Sequence, residues 1–218
     1  MTENTHRINL GFVNAYLVQA GDGYILIDTG VVQTFSRLEN ELLQAGCLPD
    51  KLKLVVITHG DSDHVGGCLQ LQQKYGAKIA VHAGDAEMVE TGKPAQRQAT
   101  SLAGKLMLWL SSRMEGSSNG FKPDVLLQDG QRLEDYGLAA RVIHTPGHTR
   151  GSIAVLTDDG QLFAGDTVAN RTKPALTPLV ENKQELQNSL QILKQTHARV
   201  IYPGHGNPLS GEMLQSVH

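Results

Sequence analysis

Apolar residues fall into short runs separated by glycines, a pattern that marks the ends of strands. Two β-rich runs, residues 15–18 and 24–27, flank Gly21-Asp22-Gly23. The Asp-Gly pair supplies the positive φ that a hairpin turn needs. We therefore expect an antiparallel hairpin near the start of the chain.

The rest of the pattern predicts alternating strands and helices. Further strands are expected at residues 54–57, 78–81, 125–127, 139–143, 153–156, 161–164 and 200–202. Helical spacing is found for Phe35, Leu38, Leu42 and Leu43 before Gly46, for residues 69–75, and for Leu186, Leu190 and Leu193. Hairpins followed by strand and helix alternation favour an α/β sandwich whose helices cover the outer faces.

Residues 88–121 differ from this alternation and are expected to form a helical insertion in a single domain spanning residues 1–218. An apolar stripe at helical spacing is flanked by glycine-rich ends, and the single tryptophan, Trp109, lies on it. The stripe consists of Leu102, Leu106, Leu110 and Met114. The insertion is either an ordinary surface helix or a lid over a functional site.

Composition restricts the class of protein. The 218 residues are 40% hydrophobic and carry a net charge of −3, with no basic run among the 19 lysines and arginines. Neither a nucleic acid nor an anionic membrane is therefore an expected partner. The two cysteines are too few for a disulfide framework. A polar N-terminus and the lack of a long apolar stretch favour a cytoplasmic protein that does not cross a membrane.

Candidate metal ligands are concentrated in a loop that follows a buried strand. His59, Asp61, Asp63 and His64 place four metal-competent side chains within six positions, just after the strand ending at Ile57. The glycines that follow allow a tight turn into a helix. Ligands at this density favour a metal site over an accidental cluster.

Three more loops repeat the arrangement of strand, glycine and a single histidine or aspartate. They contain His148, Asp166 and His205. Because the strand ends deliver such groups along one edge of a sheet, we favour a shared site with more than one metal ion. The alternative is that the four loops carry separate structural residues. The other histidines, His6, His82, His144, His197 and His218, lack this context and are expected to be structural.

These motifs, in this order, resemble the metallo-β-lactamase superfamily and most closely its glyoxalase II-like branch. The resemblance covers nearly the whole chain. It rests on residues 14–17, 26–30, 58–64, 145–152, 164–167 and 203–206. It implies an αββα sandwich of two mixed β-sheets flanked by helices, with metals held by loops at the edge of the sheets.

The same resemblance implies a dinuclear site and a role for each ligand. The first metal would take His59, His148 and a bridging Asp166; the second would take Asp63, His64, His205 and the same Asp166. Asp63 would also orient the nucleophile as the catalytic carboxylate. Asp28 matches a position that supports the site from behind the ligands, or it is a strand-end turn carboxylate.

Asp61 departs from the family pattern, which most often has a histidine at this position. The formal charges of two divalent ions, three aspartates and a hydroxide sum to zero, whereas a histidine at position 61 would give the cluster a charge of +1. Carboxylate oxygen also shifts the preference of the first site from zinc toward iron or manganese. Zinc remains the favoured ion, and exchange of Asp61 for histidine is expected to raise zinc affinity.

Three functions are compatible with these residues. The leading one is a hydrolase that uses a metal-bound hydroxide on a small ester, thioester or lactone. The second is an iron-dependent, non-hydrolytic enzyme that resembles persulfide dioxygenases and uses His59, His148 and Asp166. The third is a metal-binding protein without turnover. The expected partner is a small-molecule substrate, and a homodimer is left open.

Overall fold

The computed structural model describes residues 4–100, 104–105 and 120–218. Within them, the first large sheet has six strands. In spatial order these are β1 (Thr5–Asn9), β2 (Asn14–Ala20), β3 (Gly23–Ile27), β4 (Leu52–Val56), β5 (Ile79–His82) and β7 (Val125–Leu127). The first three pair antiparallel, which confirms the predicted hairpin, and β3, β4, β5 and β7 pair parallel. The sheet is therefore mixed.

The second large sheet has five strands and is also mixed. Its order is β15 (Leu209–Ser210), β14 (Val200–Pro203), β10 (Gln161–Gly165), β9 (Ile153–Thr157) and β8 (Ala140–His144). Only β10 and β14 pair parallel. Two short pairs complete the described strands: β6 (Gln98–Ala99) with β13 (Leu179–Val180), and β11 (Val168–Asn170) with β12 (Pro174–Leu176).

Helices cover the outer faces of the two sheets. Their bounds are α1 (Phe35–Gln44), α2 (Ser62–Val65), α3 (Cys68–Tyr75), α4 (Ala86–Thr91), α5 (Lys183–Gln195) and α6 (Gly211–Gln215). Gly46 has a φ of 77° just after α1, as its position predicts. Leu43 belongs to the apolar repeat of this helix but is 48% exposed, because it lies on the face away from the core. No helix in the described part of the chain is long and apolar enough to cross a membrane.

Side-chain alternation along the central strands builds three apolar layers. On β4, Leu54 and Val56 pack between the two sheets, whereas Val55 packs toward α1 and α3. On β10, Phe163 lies between the sheets, whereas Leu162 packs against α5. Strands buried on both faces read as continuous apolar runs, which is why they were predictable. The arrangement is the expected αββα sandwich.

An aromatic cluster joins the two sheets. Ring centroids of Tyr16, Phe163 and Tyr202 lie 5.0–5.5 Å apart in edge, tilted and stacked pairs. The Tyr16 hydroxyl donates a hydrogen bond of 2.6 Å to the Pro203 carbonyl at the end of β14. Such aromatic pairs contribute about 0.5–1.5 kcal/mol each beyond their burial. The cluster thus fixes the end of β14 relative to the first sheet.

Candidate metal centre

The predicted metal ligands follow strand ends that meet at one edge of the sandwich. In the second sheet, β8, β10 and β14 run in the same direction, because β8 and β10 are both antiparallel to β9. Their ends lead to His148, Asp166 and His205, while the loop after β4 carries residues 59–64. Loops from both sheets therefore converge.

The seven predicted ligands lie together in two groups that share Asp166. We call His59, Asp61 and His148 the first trio, and Asp63, His64 and His205 the second trio. Within each trio, and within the set formed by His59, His64 and Asp166, the ligand atoms lie within 4.8 Å of one another. The structure therefore brings all seven side chains together, and their role as metal ligands stays a prediction.

Carboxylate oxygens face the Nε2 atoms of all four histidines. In the first trio, Asp61 Oδ2 lies 3.3 Å from His59 Nε2 and 3.1 Å from His148 Nε2. Asp166 connects the two trios. Its Oδ2 lies 3.1 Å from His205 Nε2 and 3.9 Å from His148 Nε2.

Hydrogen bonds on the outer side orient the first-trio histidines. His148 Nδ1 lies 2.7 Å from the Leu179 carbonyl, which can only accept, so Nδ1 carries the proton. His59 Nδ1 lies 3.0 Å from Thr58 Oγ1, whose own hydrogen is donated to Asp28. In their neutral forms, both rings therefore direct the Nε2 lone pair into the centre.

The second-trio histidines are oriented in the same way. His64 Nδ1 donates to Asp28 Oδ2 at 2.8 Å, and His205 Nδ1 donates to the Phe12 carbonyl at 2.6 Å. The ring of Phe12, a residue that is 53% exposed, also stacks on His205 at a centroid distance of 6.1 Å. All four Nε2 atoms consequently converge on one small region.

The donor set fits divalent metal ions. His59 Nε2, His64 Nε2 and Asp166 Oδ1 are buried atoms of the described residues with no hydrogen-bond partner. A side chain at Gly204 would collide with Asp166 Oδ1 and with the His64 ring, so the residue leaves this region open. Imidazole nitrogens and carboxylate oxygens that converge in this way form a coordination environment for a cation once the imidazoles are neutral.

Burial keeps the first-trio histidines neutral. It lowers the pKa of His148 to about 4, assisted by the positive charge of Arg97. Burial also lowers the pKa of His59 well below its ordinary value, with His64 and His148 acting in the same direction. Both rings can bind a metal at neutral pH without losing a proton.

The second-trio histidines behave in the opposite way. Burial alone would lower the pKa of His64, but Asp28, Asp63 and Asp166 outweigh it and raise the pKa to about 9. Asp166 and Asp63 similarly outweigh burial at His205 and raise its pKa to about 11. Without metal, these rings hold protons at neutral pH.

The family is settled by a comparison with known proteins. A family model described as the metallo-beta-lactamase superfamily matches residues 8–205. This chain belongs to the metallo-beta-lactamase superfamily. The fold agrees with that of the metallo-beta-lactamase family protein TTHA1429 from Thermus thermophilus. That structure is 24% identical with a TM-score of 0.74, over 98% of this chain and 77% of the other.

Several curated members of the superfamily are similar in sequence. A probable metallo-hydrolase, YflN, from Bacillus subtilis is 28% identical over 98% of this chain and 88% of its own length. The acyl-coenzyme A thioesterase MBLAC2 of Bos taurus is 26% identical over 92% and 75%. A hydroxyacylglutathione hydrolase from Shewanella loihica is 31% identical over 69% of this chain and 46% of its own length. Because these relatives are named as hydrolases and a thioesterase, the chain is an enzyme of the superfamily. The similarity to a hydroxyacylglutathione hydrolase supports the glyoxalase II-like resemblance.

Asp28 connects the two halves of the candidate metal centre. Its carboxylate accepts hydrogen bonds from the Thr58 amide, from the Thr58 hydroxyl and from His64 Nδ1, at 2.8–3.1 Å. The residue is 1% exposed and has a φ of 59°, which is uncommon outside glycine. The surrounding hydrogen bonds hold this conformation, and the carboxylate lies behind the candidate ligands as the resemblance implies.

Two charged residues beside the centre were missed by sequence reasoning. Asp85 is buried and accepts hydrogen bonds from Gly60, Thr149 and Gly151, so it ties together two of the ligand loops. Its position shortly after β5 was a usable signal, since β5 runs parallel to β4. Arg97 contacts Asp61. It lies in a loop without a motif, and nothing in the sequence marked it.

Other predicted features lie away from the centre or outside the described residues. His82 and His144 stack on each other at 4.1 Å and are not among the grouped ligands. The apolar stripe of the insertion and Trp109 fall outside the described residues. Both flanks of that segment are described: β6 is anchored on β13, and the Phe121 amide donates to the Val89 carbonyl at 3.0 Å.

Proposed function

We propose that this enzyme hydrolyses small acyl thioesters with two divalent metal ions. The observation that carries the proposal is the shared orientation of the four histidines, whose Nδ1 atoms are committed to outer acceptors while Nε2 atoms and carboxylates converge. Oxygen esters and lactones are the related alternatives.

Each metal would be held by one trio together with Asp166. Zinc is the favoured ion because the seven ligands together comprise four imidazole groups and three carboxylates, and iron or manganese would suit the carboxylate of Asp61. When bound, such a pair of ions supplies a Lewis acid and activates water as the nucleophile.

Asp63 is proposed to orient the attacking water. Its side chain is 23% exposed, compared with 11% for Asp61 and 8% for Asp166, so it faces the open side of the centre. Despite burial, His64 and His205 hold the pKa of its carboxyl below the usual range. The residue therefore stays an acceptor that can hold a water molecule by its proton.

A thioester substrate is supported by the names of two relatives, an acyl-coenzyme A thioesterase and a hydroxyacylglutathione hydrolase. It also suits the chemistry, because a thiol with a pKa of about 8.5 leaves with little help from a general acid. Neither cysteine serves as a nucleophile. Both are buried, and burial raises the pKa of Cys47 to about 12.

The proposal is tested by thiol release from short acyl-coenzyme A and hydroxyacyl-glutathione thioesters. Activity should disappear on chelation and return with zinc, manganese or iron. Asp63→Asn should lower kcat by on the order of a hundredfold or more, because even residues behind metal ligands cost 10–100-fold. Asp135→Asn, at an exposed position, is the matched control.

The result that would overturn the proposal is a metal-loaded protein that releases no thiol from either class of thioester. Oxygen uptake with a persulfide in iron-loaded protein would then favour the dioxygenase alternative. Binding of two metals with no turnover of any activated ester would favour a protein without catalysis.

A further inference from the structure

Arg97 reaches the first trio through the same pair of strands that orients His148. It directly precedes β6, which pairs antiparallel with β13. The carbonyl of Leu179, on β13, accepts the Nδ1 hydrogen bond from His148. The backbone around Arg97 is thus anchored beside a candidate ligand.

The two oxygens of Asp61 have different neighbours. Oδ1 accepts a hydrogen bond from Arg97 Nη2, while Oδ2 lies between His59 Nε2 and His148 Nε2. The side chains of Asp61 and Arg97 are each only 11% exposed. One oxygen is therefore held by a fixed positive charge, and the other is presented to the centre.

This contact changes the charge of the cluster. Counting two divalent ions, three aspartates and a hydroxide gives zero, but the guanidinium of Arg97 adds one positive charge. The total returns to +1, the value that a neutral histidine at position 61 would give. A guanidinium keeps its charge at every pH that the protein experiences.

We propose that Arg97 is a positioning residue for the first metal. It holds Asp61 so that Oδ2 faces the two histidines, and it cancels the aspartate charge, so that the pair acts as a single neutral ligand. This inference rests on one part of the proposed function, namely that the first trio binds a metal ion.

The inference revises the expectation for Asp61→His. Alone, this substitution leaves Arg97 with its charge beside the metal and without this carboxylate partner. Zinc affinity at the first trio should therefore fall by about tenfold or more instead of rising. Asp61→His/Arg97→Met removes both charges and should restore the affinity to within about threefold of the wild type.

Zinc affinity is measured by competition with a chromophoric chelator in the absence of substrate. The variants are compared in the wild-type background and with His205→Ala, which removes a member of the second trio. Arg150→Met is the matched control, because Arg150 is an exposed arginine in the loop that carries His148. It should not rescue Asp61→His. Thermal melting of the metal-free variants shows whether each one folds.

Asp61→Asn provides a second route that disturbs the shape less. By itself, Asp61→Asn should weaken zinc binding, and the addition of Arg97→Met should restore the affinity. The proposal is overturned if Asp61→His and Asp61→Asn bind zinc as tightly as the wild type, or if Arg97→Met does not rescue them. If Arg97→Met changed KM without changing zinc affinity, that result would also overturn the proposal and would assign Arg97 to substrate binding.

Failure of this inference is distinct from failure of the proposed function. If the wild type binds zinc and shows the rescue but cleaves no thioester, the function fails and the inference stands. If it cleaves thioesters without rescue, the inference alone fails. If it binds no zinc, manganese or iron, both fail.

Discussion

The two trios have similar ligand geometry but opposite proton occupancy. Both combine two buried histidines with one aspartate, share Asp166 and lie at the same edge of the sandwich. The first-trio histidines have lowered pKa values, whereas those of the second trio are raised to about 9 and about 11. Burial is common to the histidines of both trios, so it does not explain the difference.

Neighbouring charges explain it. His59 and His148 donate outward to a hydroxyl and a carbonyl, and the positive charge of Arg97 lowers the pKa of His148 further. His64 instead donates to the carboxylate of Asp28, and His205 faces both Asp63 and Asp166. The comparison implies that a metal ion would enter the first trio directly but would have to displace protons from the second.

The largest expected effect follows from this displacement. At pH 7.5, the first equivalent of zinc should bind with almost no proton release, and the second should release up to two protons, from His64 and His205. Its affinity should rise by about tenfold per pH unit for each proton released as pH approaches 9. A pH indicator in weak buffer, read during a zinc titration, measures both quantities.

Equal proton release by both equivalents would remove the distinction between the trios. His144→Gln serves as the control, since this histidine lies outside the grouped ligands and should not alter the proton count. The metal-free protein should also lose stability as pH rises through about 9. A raised pKa stabilises the fold only while His64 keeps its proton.

A smaller effect should separate the trios by their outer hydrogen bonds. Thr58→Val removes the acceptor of the His59 Nδ1 proton. It should weaken the affinity for the first zinc ion by about tenfold, because loss of such a hydrogen-bond partner typically lowers metal affinity by about 10–100-fold. The second zinc should change much less. Isothermal calorimetry with two resolved binding steps measures the pair of affinities.

Thr196→Val is a matched control at the end of α5, where the hydroxyl donates to the Leu193 carbonyl and accepts from the Ala198 amide. Asp28→Asn is the complementary variant. It removes the negative charge beside His64 and should reduce the protons released with the second zinc. If Thr58→Val weakened both zinc ions equally, the two trios would have to be treated as one coupled unit.

Sequence reasoning was strongest where a motif follows a strand buried on both faces. The strands ending near Ile57 and Ala164 are continuous apolar runs, so the ligand loops could be placed at their ends. The brief pair of β6 and β13 has two residues per strand and no periodic signal. It nevertheless supplies the acceptor for His148.

Electrostatic partners were harder to predict than ligands. The motif marks Asp61 as unusual, but no sequence pattern indicates its contact with Arg97, which lies 36 residues away in the sequence. A contact of this kind depends on how a loop folds back onto the sheet edge, and local patterns do not encode that path. Asp28 could be singled out because it follows a strand in the same way as the candidate ligands, and its supporting role stays a prediction.

The smallest expected effect concerns the segment between the two described flanks of the insertion. Arg97 and β6 fix one end beside the first trio, and Phe121, which is buried in an apolar cluster and hydrogen-bonded to Val89 of α4, fixes the other. An acyl chain leaving the polar centre needs an apolar wall, which the sequence of this segment can provide.

Replacing residues 101–119 with a short Gly-Ser linker keeps Arg97 and Phe121. Zinc content should remain at the wild-type value, and the rate ratio of long to short acyl thioesters should change by roughly threefold or more. If neither quantity changes, the segment has a structural role or mediates self-association, which size-exclusion chromatography of the two proteins would distinguish.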